Sequence, residues 1–214
     1  MQKKIPEAAI RRLPVYLRVL DELIEDGVEV TSSADLAGRT GLSSEQIRKD
    51  LAYFGAFGTR GVGYDTCLLS RRIKKILGLT QPAKVALVGV GNLGTALIRY
   101  NLAQPKDIHI TAAFDADPRK VGFRLGELEV QNPERMEQVI RSQGIKMAVL
   151  TVPAQEAQLV AEQLAVAGVE AILNFSPVKL KVPGVYVQDV DLTIELQSLA
   201  YYTNGAEAAV SGKV

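Results

Sequence analysis

The segment K84-V-A-L-V-G-V-G-N-L-G-T-A-L-I98 constrains the chain more than any other. An apolar run that reads as a buried strand passes into Gly89, Gly91 and Gly94, spaced G-x-G-x-x-G, and then into a helical pattern. The spacing alone is weak, but a strand before it and a helix after it are the context it requires. Gly89 permits the tight turn, Gly91 lets the backbone approach a pyrophosphate, and Gly94 lets the helix pack on the strand. Asn92 and Leu93 then sit at the helix amino-terminus, where unpaired N–H groups favour an anion. A second strand, I108-H-I-T-A-A-F114, ends at Asp115, 21 residues past Gly94. A carboxylate at that offset takes adenosine ribose hydroxyls and repels a 2′-phosphate, favouring NAD(H) over NADP(H). Arg119 and Lys120 stand close enough to qualify that preference, and a Rossmann-like sheet without ligand is the alternative.

The rest of the carboxy-terminal part completes an α/β unit. Asn132–Gln143 reads as a helix opened by N-P-E, Lys146–Thr151 as a strand, Pro153–Ala167 as a helix stopped by Gly168, and Val169–Asn174 as a strand. Doubly wound sheets place ligands at the carboxyl ends of their strands. Thr151, Val152 and Pro153, with Asn174 and Phe175, are therefore candidates for the cofactor site, although Thr151 and Asn174 serve equally well as ordinary caps. From Asp191 to Tyr202 apolar residues recur at Leu192, Ile194, Leu196, Leu199 and Tyr202. This helix has no obvious groove in its own subunit, and either covers the core or docks onto a partner.

The first 78 residues have another character. Residues 39–75 hold eight basic and three acidic side chains, whereas residues 1–38 and 76–214 each carry a net charge of −2. Ile10, Leu13, Leu17, Leu20 and Ile24 mark an amphipathic helix over Pro6–Asp26, with Pro14 expected to kink or divide it. A short helix capped by Ser32 or Ser33 ends at Gly41, and Ser43 and Gln46 have capping-box spacing at the start of another. Two short helices joined by a tight turn suggest a helix-turn-helix. With Ile47 and Leu51 facing in, Ser44, Glu45, Gln46, Arg48 and Lys49 are the candidate DNA contacts; a packed helical hairpin is the alternative. Y53-F-G-A-F-G-T-R-G-V-G-Y64 is dense in glycine and aromatics, as a β-hairpin wing with Arg60 and Gly61 at its tip would be. A helix from Leu69 to Leu77 closes this part.

Catalytic hardware is scarce. One cysteine (Cys67) and one histidine (His109) remove disulfide frameworks and most metal constellations. His109 begins its strand, the wrong end for an active site, and no tyrosine has a lysine four positions later. The expectation is no catalytic residue, no metal and no membrane span, in a cytoplasmic protein: neither the start MQKKIPEAAIRR nor any apolar run suits a signal peptide or a span. A dehydrogenase with a helical amino-terminal domain, and a nucleotide-binding scaffold without DNA affinity, are the alternatives.

I47-R-K-D-L-A-Y-F-G-A-F-G-T-R-G-V-G-Y64, followed by G89-V-G-N-L-G94, N174-F-S-P and V190-D-L, resembles the Rex family of bacterial redox-sensing repressors. The resemblance implies a winged helix-turn-helix domain over 1–78, a Rossmann-like NAD(H)-binding domain over 79–189, and a carboxy-terminal dimerisation helix and tail over 190–214. It further implies a homodimer that binds a palindromic operator in double-stranded DNA, releases it when NADH binds, and binds NAD⁺ in competition. The terminal helix is swapped between subunits in that family. Arg18, Tyr100 and Asp191 match its switch residues, Tyr100 also belonging with the cofactor site, and Arg60 matches its minor-groove arginine. Leu192 stands where the family can carry an aromatic near the nicotinamide.

Overall fold

The computed structural model describes residues 5–55, 57–59, 61–103 and 107–203. Arg60 lies outside the described residues. The chain divides into two compact units, Met1–Gln81 and Pro82–Val214.

The first unit runs α1 (Glu7–Glu25), β1 (Val30–Thr31), α2 (Ser33–Thr40), α3 (Ser44–Ala52), β2 (Tyr64–Asp65) and α4 (Thr66–Ile76). Leu13, Tyr16, Leu17, Leu20 and Leu23 of α1 pack on Leu36, Ile47, Leu51, Leu69 and Ile73. Contrary to the sequence expectation, α1 is continuous through Pro14. Pro14 and Ile10 are exposed, so the carbonyl that proline leaves without a donor faces water, where the loss is cheapest. Ile10 accordingly does not belong to the core. Ser32 and Asp35 form a capping box at α2, which ends at Gly41 with φ 71°. Ser43 accepts the Gln46 N–H at α3, but no reciprocal bond forms, because the Gln46 amide turns to Asp50. The wing is small: β1 pairs antiparallel with β2, and Thr59 and Gly63 exchange backbone bonds of 3.1 Å across its tip. Asp65 caps α4 by accepting the Leu68 N–H, which starts that helix earlier than its apolar spacing suggests.

The second unit is a sheet in the order β5-β6-β4-β3-β7-β8-β9. Its strands are β3 (Ala83–Val88), β4 (Ile108–Phe114), β5 (Arg124–Leu125), β6 (Leu128–Gln131), β7 (Met147–Leu150), β8 (Ala171–Asn174) and β9 (Tyr186–Asp189). All pairs are parallel except β5 with β6. The chain steps outward from β3 through β4 to β6, then returns beside β3 with β7 and proceeds the other way. That is the doubly wound Rossmann order, with its switch point between β3 and β7. One face carries α6 (Met136–Gln143) and α7 (Ala154–Ala167) over Ala86, Val88, Phe114, Leu150 and Ile172. The other carries α5 (Asn92–Ala103), whose Ile98 packs with Leu87 and Ala113. The expected helix over 132–143 divides into a 3-10 turn, Pro133–Arg135, and α6. The short strands β5, β6 and β9 have no counterpart in the sequence reading. Finally, α8 (Leu192–Thr203) has no buried residue.

Candidate functional site

The glycine loop joins β3 to α5 at the switch point. Gly89 has φ +97°, and a Cβ there would lie 2.6 Å from the Thr151 carbonyl oxygen. A Cβ on Gly94 would overlap the Gly89 carbonyl oxygen. Both glycines are thus demanded by the close approach of strand end, helix and β7. Gly91 differs: nothing lies within 4 Å of where its Cβ would stand, and its backbone is not left-handed. The protein itself does not require glycine there, whereas a phosphate approaching the backbone does. The first N–H groups of α5 have no intrahelical acceptor, so the open side of Gly91 adjoins donors suited to an anion.

Around this loop the second unit forms a cavity of about 660 Å³, lined among others by Gly91, Asp115, Lys120, Val152, Pro153 and Glu156. Thr151 also lines it, and its hydroxyl donates to the Gly89 carbonyl at 2.6 Å, bracing the loop. Asp115 Oδ2 accepts the Val90 N–H at 2.7 Å and Lys120 Nζ at 2.9 Å, and Oδ1 accepts the Asp117 N–H at 2.8 Å. A carboxylate offers about four acceptor positions, so Asp115 keeps capacity for a ribose hydroxyl. Arg119 is engaged elsewhere: its guanidinium bonds Asp117 and holds that carboxyl down at about 2. The residues present fit an adenine dinucleotide.

Asn174 requires a correction. It is 0% exposed, and its amide is spent inside the protein on Ser176, Val178 and Asp189, so it braces the fold and does not face a ligand. Phe175 and Tyr100 are not on the walls of this cavity. They line a separate apolar groove of about 310 Å³ with Leu97, Ile108, Met147 and Tyr186, on the face that carries α5. Of the other switch candidates, Asp191 opens α8 by accepting the Thr193 N–H at 2.9 Å, and Arg18 is exposed on α1. Leu192 is exposed at the start of α8.

In the first unit Glu45, Arg48 and Lys49 are exposed on α3, whereas Ser44 and Gln46 are half-buried. Arg48 donates to Ser33 Oγ at 2.8 Å, tying α3 to the start of α2. A cavity of about 560 Å³ opens between α3 and the wing, with Ser33, Arg48, Ala52, Thr59, Gly61 and Tyr64 on its walls. Sequence reasoning missed what sets α3 in place. Asp50 is fully buried and accepts from Arg12 Nη2 at 2.8 Å, Tyr16 Oη at 2.6 Å and Gln46 Nε2 at 2.7 Å. Burial alone would raise the Asp50 carboxyl, but the donors from Arg12, Tyr16 and Gln46 outweigh it and hold it below the usual carboxylate range. The signal available was an acid at a core spacing, between Ile47 and Leu51. Among the described residues no group of three His, Cys, Asp or Glu could hold a metal ion.

Two family models match the chain. One for the amino-terminus of DNA-binding proteins matches residues 4–52, and the CoA binding domain model matches residues 80–178. The redox-sensing transcriptional repressor Rex of Syntrophobacter fumaroxidans is 51% identical over 201 residues, covering 93% of this chain and 96% of its own. This chain belongs to the Rex family. The Rex of Streptomyces coelicolor is 45% identical over 212 residues, covering 97% of this chain and 82% of its own. Among solved structures, the Rex-family repressor RSP with beta-NAD⁺ and operator DNA has a TM-score of 0.87 at 37% identity, covering 95% of this chain and 94% of that one. RSP with beta-NADH has a TM-score of 0.84 at 34% identity, covering 99% and 100%. Because Rex proteins are transcriptional repressors and not enzymes, the dehydrogenase reading is set aside. Among the described residues no helix is long and apolar enough to cross a membrane.

Proposed function

We propose that this protein is a homodimeric repressor that holds a palindromic operator while NADH is scarce and leaves it when NADH is bound, NAD⁺ competing for the same site. The observation that carries this reading is Gly91, a glycine with open space beside it at the amino-terminus of α5 and no structural need of its own. Gly89, Gly91, Asn92, Leu93 and Gly94 would receive the pyrophosphate, Asp115 the adenosine ribose, and Thr151, Val152 and Pro153 would form the wall. Reduced nicotinamide is neutral and oxidised nicotinamide carries a positive charge, so apolar surroundings favour NADH. The solved complexes of RSP with beta-NAD⁺ and operator DNA, and with beta-NADH, support the same pairing of ligands.

On the DNA side, Glu45, Arg48 and Lys49 present the exposed edge of α3, and Ser44, Gln46, Arg60 and Gly61 complete the proposed contact set. Two copies reading one palindrome need half-sites ~34–36 Å apart or a multiple of that. Dimerisation is assigned to α8. Its Leu192, Ile194, Leu196 and Leu199 are all more than half exposed, and the groove beside Tyr100 and Phe175 offers an apolar bed for the partner's helix in a swapped arrangement. Arg18 and Tyr100 would be alternative partners of the Asp191 carboxylate in the two states. The working place of such a repressor is the cytoplasm.

The test is fluorescence anisotropy on a labelled palindrome from the protein's own upstream region, titrated with NADH and then NAD⁺. Release by NADH with weak or opposite action of NAD⁺ is the expected result, and tenfold weaker operator binding needs only ~1.4 kcal/mol of coupling. Operator binding indifferent to both nucleotides would overturn the redox reading. Absence of DNA binding at moderate salt would overturn the repressor reading altogether.

A further inference from the structure

We infer that Asn174 is a positioning residue that ties the wall of the dinucleotide pocket to the root of α8, so that occupancy of the pocket is felt at that helix. The inference rests on the proposed function above. Its basis is an unbroken series of hydrogen bonds inside the second unit. Val152 lines the pocket, and its carbonyl accepts from Ser176 Oγ at 2.7 Å. The Ser176 N–H donates to Asn174 Oδ1 at 2.9 Å. Asn174 Nδ2 donates to Asp189 Oδ1 at 2.9 Å and to the Val178 carbonyl at 2.8 Å. The Val190 N–H donates to the Asn174 carbonyl at 2.8 Å. One residue further, Asp191 accepts the Thr193 N–H and opens α8.

Two properties make this a linkage and not merely a satisfied buried amide. First, the orientation of the Asn174 amide is determined at both ends. An ionised carboxylate only accepts, so the NH₂ group must face Asp189, and a backbone N–H only donates, so the oxygen must face Ser176. Neither aspartate, which lacks the donor, nor leucine, which lacks both groups, can substitute. Second, Asn174 stands opposite Asp189 in the parallel β8–β9 pair, yet the described crossover between those strands contains no helix. Val178, Leu180, Val182 and Val185, with Val187 of β9, pack this crossover on the core beneath α7, and the hydrogen bonds of Asn174 add a directional tie to that packing. With Asn174 0% and Ser176 6% exposed, water has little access to the Ser176–Asn174 part of the series, whereas Asp189 at its far end is exposed. A satisfied hydrogen-bond network is rigid, and a contiguous series of this kind is one physical route by which two sites are coupled.

The experiment uses the full-length dimer and three substitutions. Asp189→Ala removes the far acceptor, Ser176→Ala removes the near donor, and Asp189→Asn keeps an acceptor oxygen for the Asn174 amide. NADH affinity is read without DNA from nucleotide fluorescence, and operator affinity by anisotropy without and with saturating NADH. The wild-type protein is expected to lose operator affinity about tenfold or more with NADH, within the usual range of coupling between sites. In Asp189→Ala and Ser176→Ala that loss is expected to fall below about threefold, while NADH affinity without DNA and operator affinity without NADH change less than about threefold. Asp189→Asn is expected to respond like wild type. A merely structural role would lower stability and NADH affinity together without touching their ratio to release. Undiminished release in both alanine variants overturns the inference. So does lost release that tracks an equal loss of NADH affinity, or Asp189→Asn as uncoupled as Asp189→Ala. A wild-type protein whose operator binding ignores NADH overturns the proposed function and this inference with it.

Discussion

The two units treat buried polar groups and close packing differently. In the first, a charge lies at the centre: Asp50 is fully enclosed and takes donors from Arg12 and Tyr16 of α1 and from Gln46 of its own helix. In the second, apolar side chains fill the core, and the buried polar groups Asp115, Asn174 and Ser176 line or brace the pocket, where Gly89 and Gly94 meet backbone. The difference follows what each must present. On the proposed reading α3 has to be held at one angle, and the directional bonds to Asp50 are suited to fixing it. A nucleotide pocket has to keep space beside a backbone, and glycine achieves that by having no side chain.

The comparison breaks most visibly at Asp50. Asp50→Ala leaves a guanidinium, a phenol and an amide without their shared acceptor. Removing one member of a buried ion pair costs about 3–5 kcal/mol, and the lower figure applies because a quarter of the Arg12 side chain reaches solvent. Thermal unfolding should show this loss in the first unit alone, with operator binding lost and NADH binding kept. A uniform loss from both units would mean that they do not unfold separately. Next in size is Gly94→Ala, whose added methyl meets the Gly89 carbonyl. Backbone cannot swing aside as a side chain can, so a cost of about 2–3 kcal/mol is expected in the second unit, with NADH binding abolished and operator binding retained at low temperature.

A smaller effect appears in acid. The donors around Asp50 hold its carboxyl below the ordinary value of 3.8. A group depressed in the folded state contributes stability that is fully present above its unfolded value and is lost as pH falls through its folded value. The first unit should therefore lose melting temperature progressively below pH about 4, and Asp50→Asn should flatten that part of the profile. The effect is smaller than truncation, because the protonated acid still fills its place. Melting curves of wild type and Asp50→Asn that run parallel down to pH about 2 would remove Asp50 from the account.

Much of the architecture was legible because it is written in local periodicity. The strand–glycine–helix run, Asp115 at its offset, and the caps Ser32, Ser43 and Gly41 each depend on neighbours a few residues away. What was illegible depends on distant partners. Asp50 meets Arg12 and Tyr16 only after α1 and α3 pack, more than thirty residues apart in the chain. Asn174 looks like a strand-end ligand in the sequence, and only the pairing of β8 with β9 reveals that its amide is occupied. The strands β5 and β9 are too short and too weakly alternating to announce themselves. Continuity through Pro14 was hidden for the opposite reason: a local rule was right about the lost hydrogen bond, but the solvent-facing side of α1 made that loss tolerable.

The smallest effect on stability is the most informative. Gly91 and Gly94 belong to one motif, three residues apart, yet only one has a neighbour that a methyl would strike. At Gly91 the backbone is outside the left-handed region and the space is open, so alanine should change stability by no more than about 0.5 kcal/mol. A less flexible unfolded chain offsets part of any loss. The added methyl would nevertheless stand where the backbone must approach the pyrophosphate, and NADH affinity should fall at least about tenfold, or ~1.4 kcal/mol. Operator affinity without NADH should be unchanged, leaving a folded repressor that answers only at much higher NADH. The same substitution at two glycines thus separates packing from binding: Gly94→Ala unsettles the unit, and Gly91→Ala leaves it intact and poorly responsive. Normal NADH affinity in Gly91→Ala would mean that the open side of the loop is not where the pyrophosphate lies.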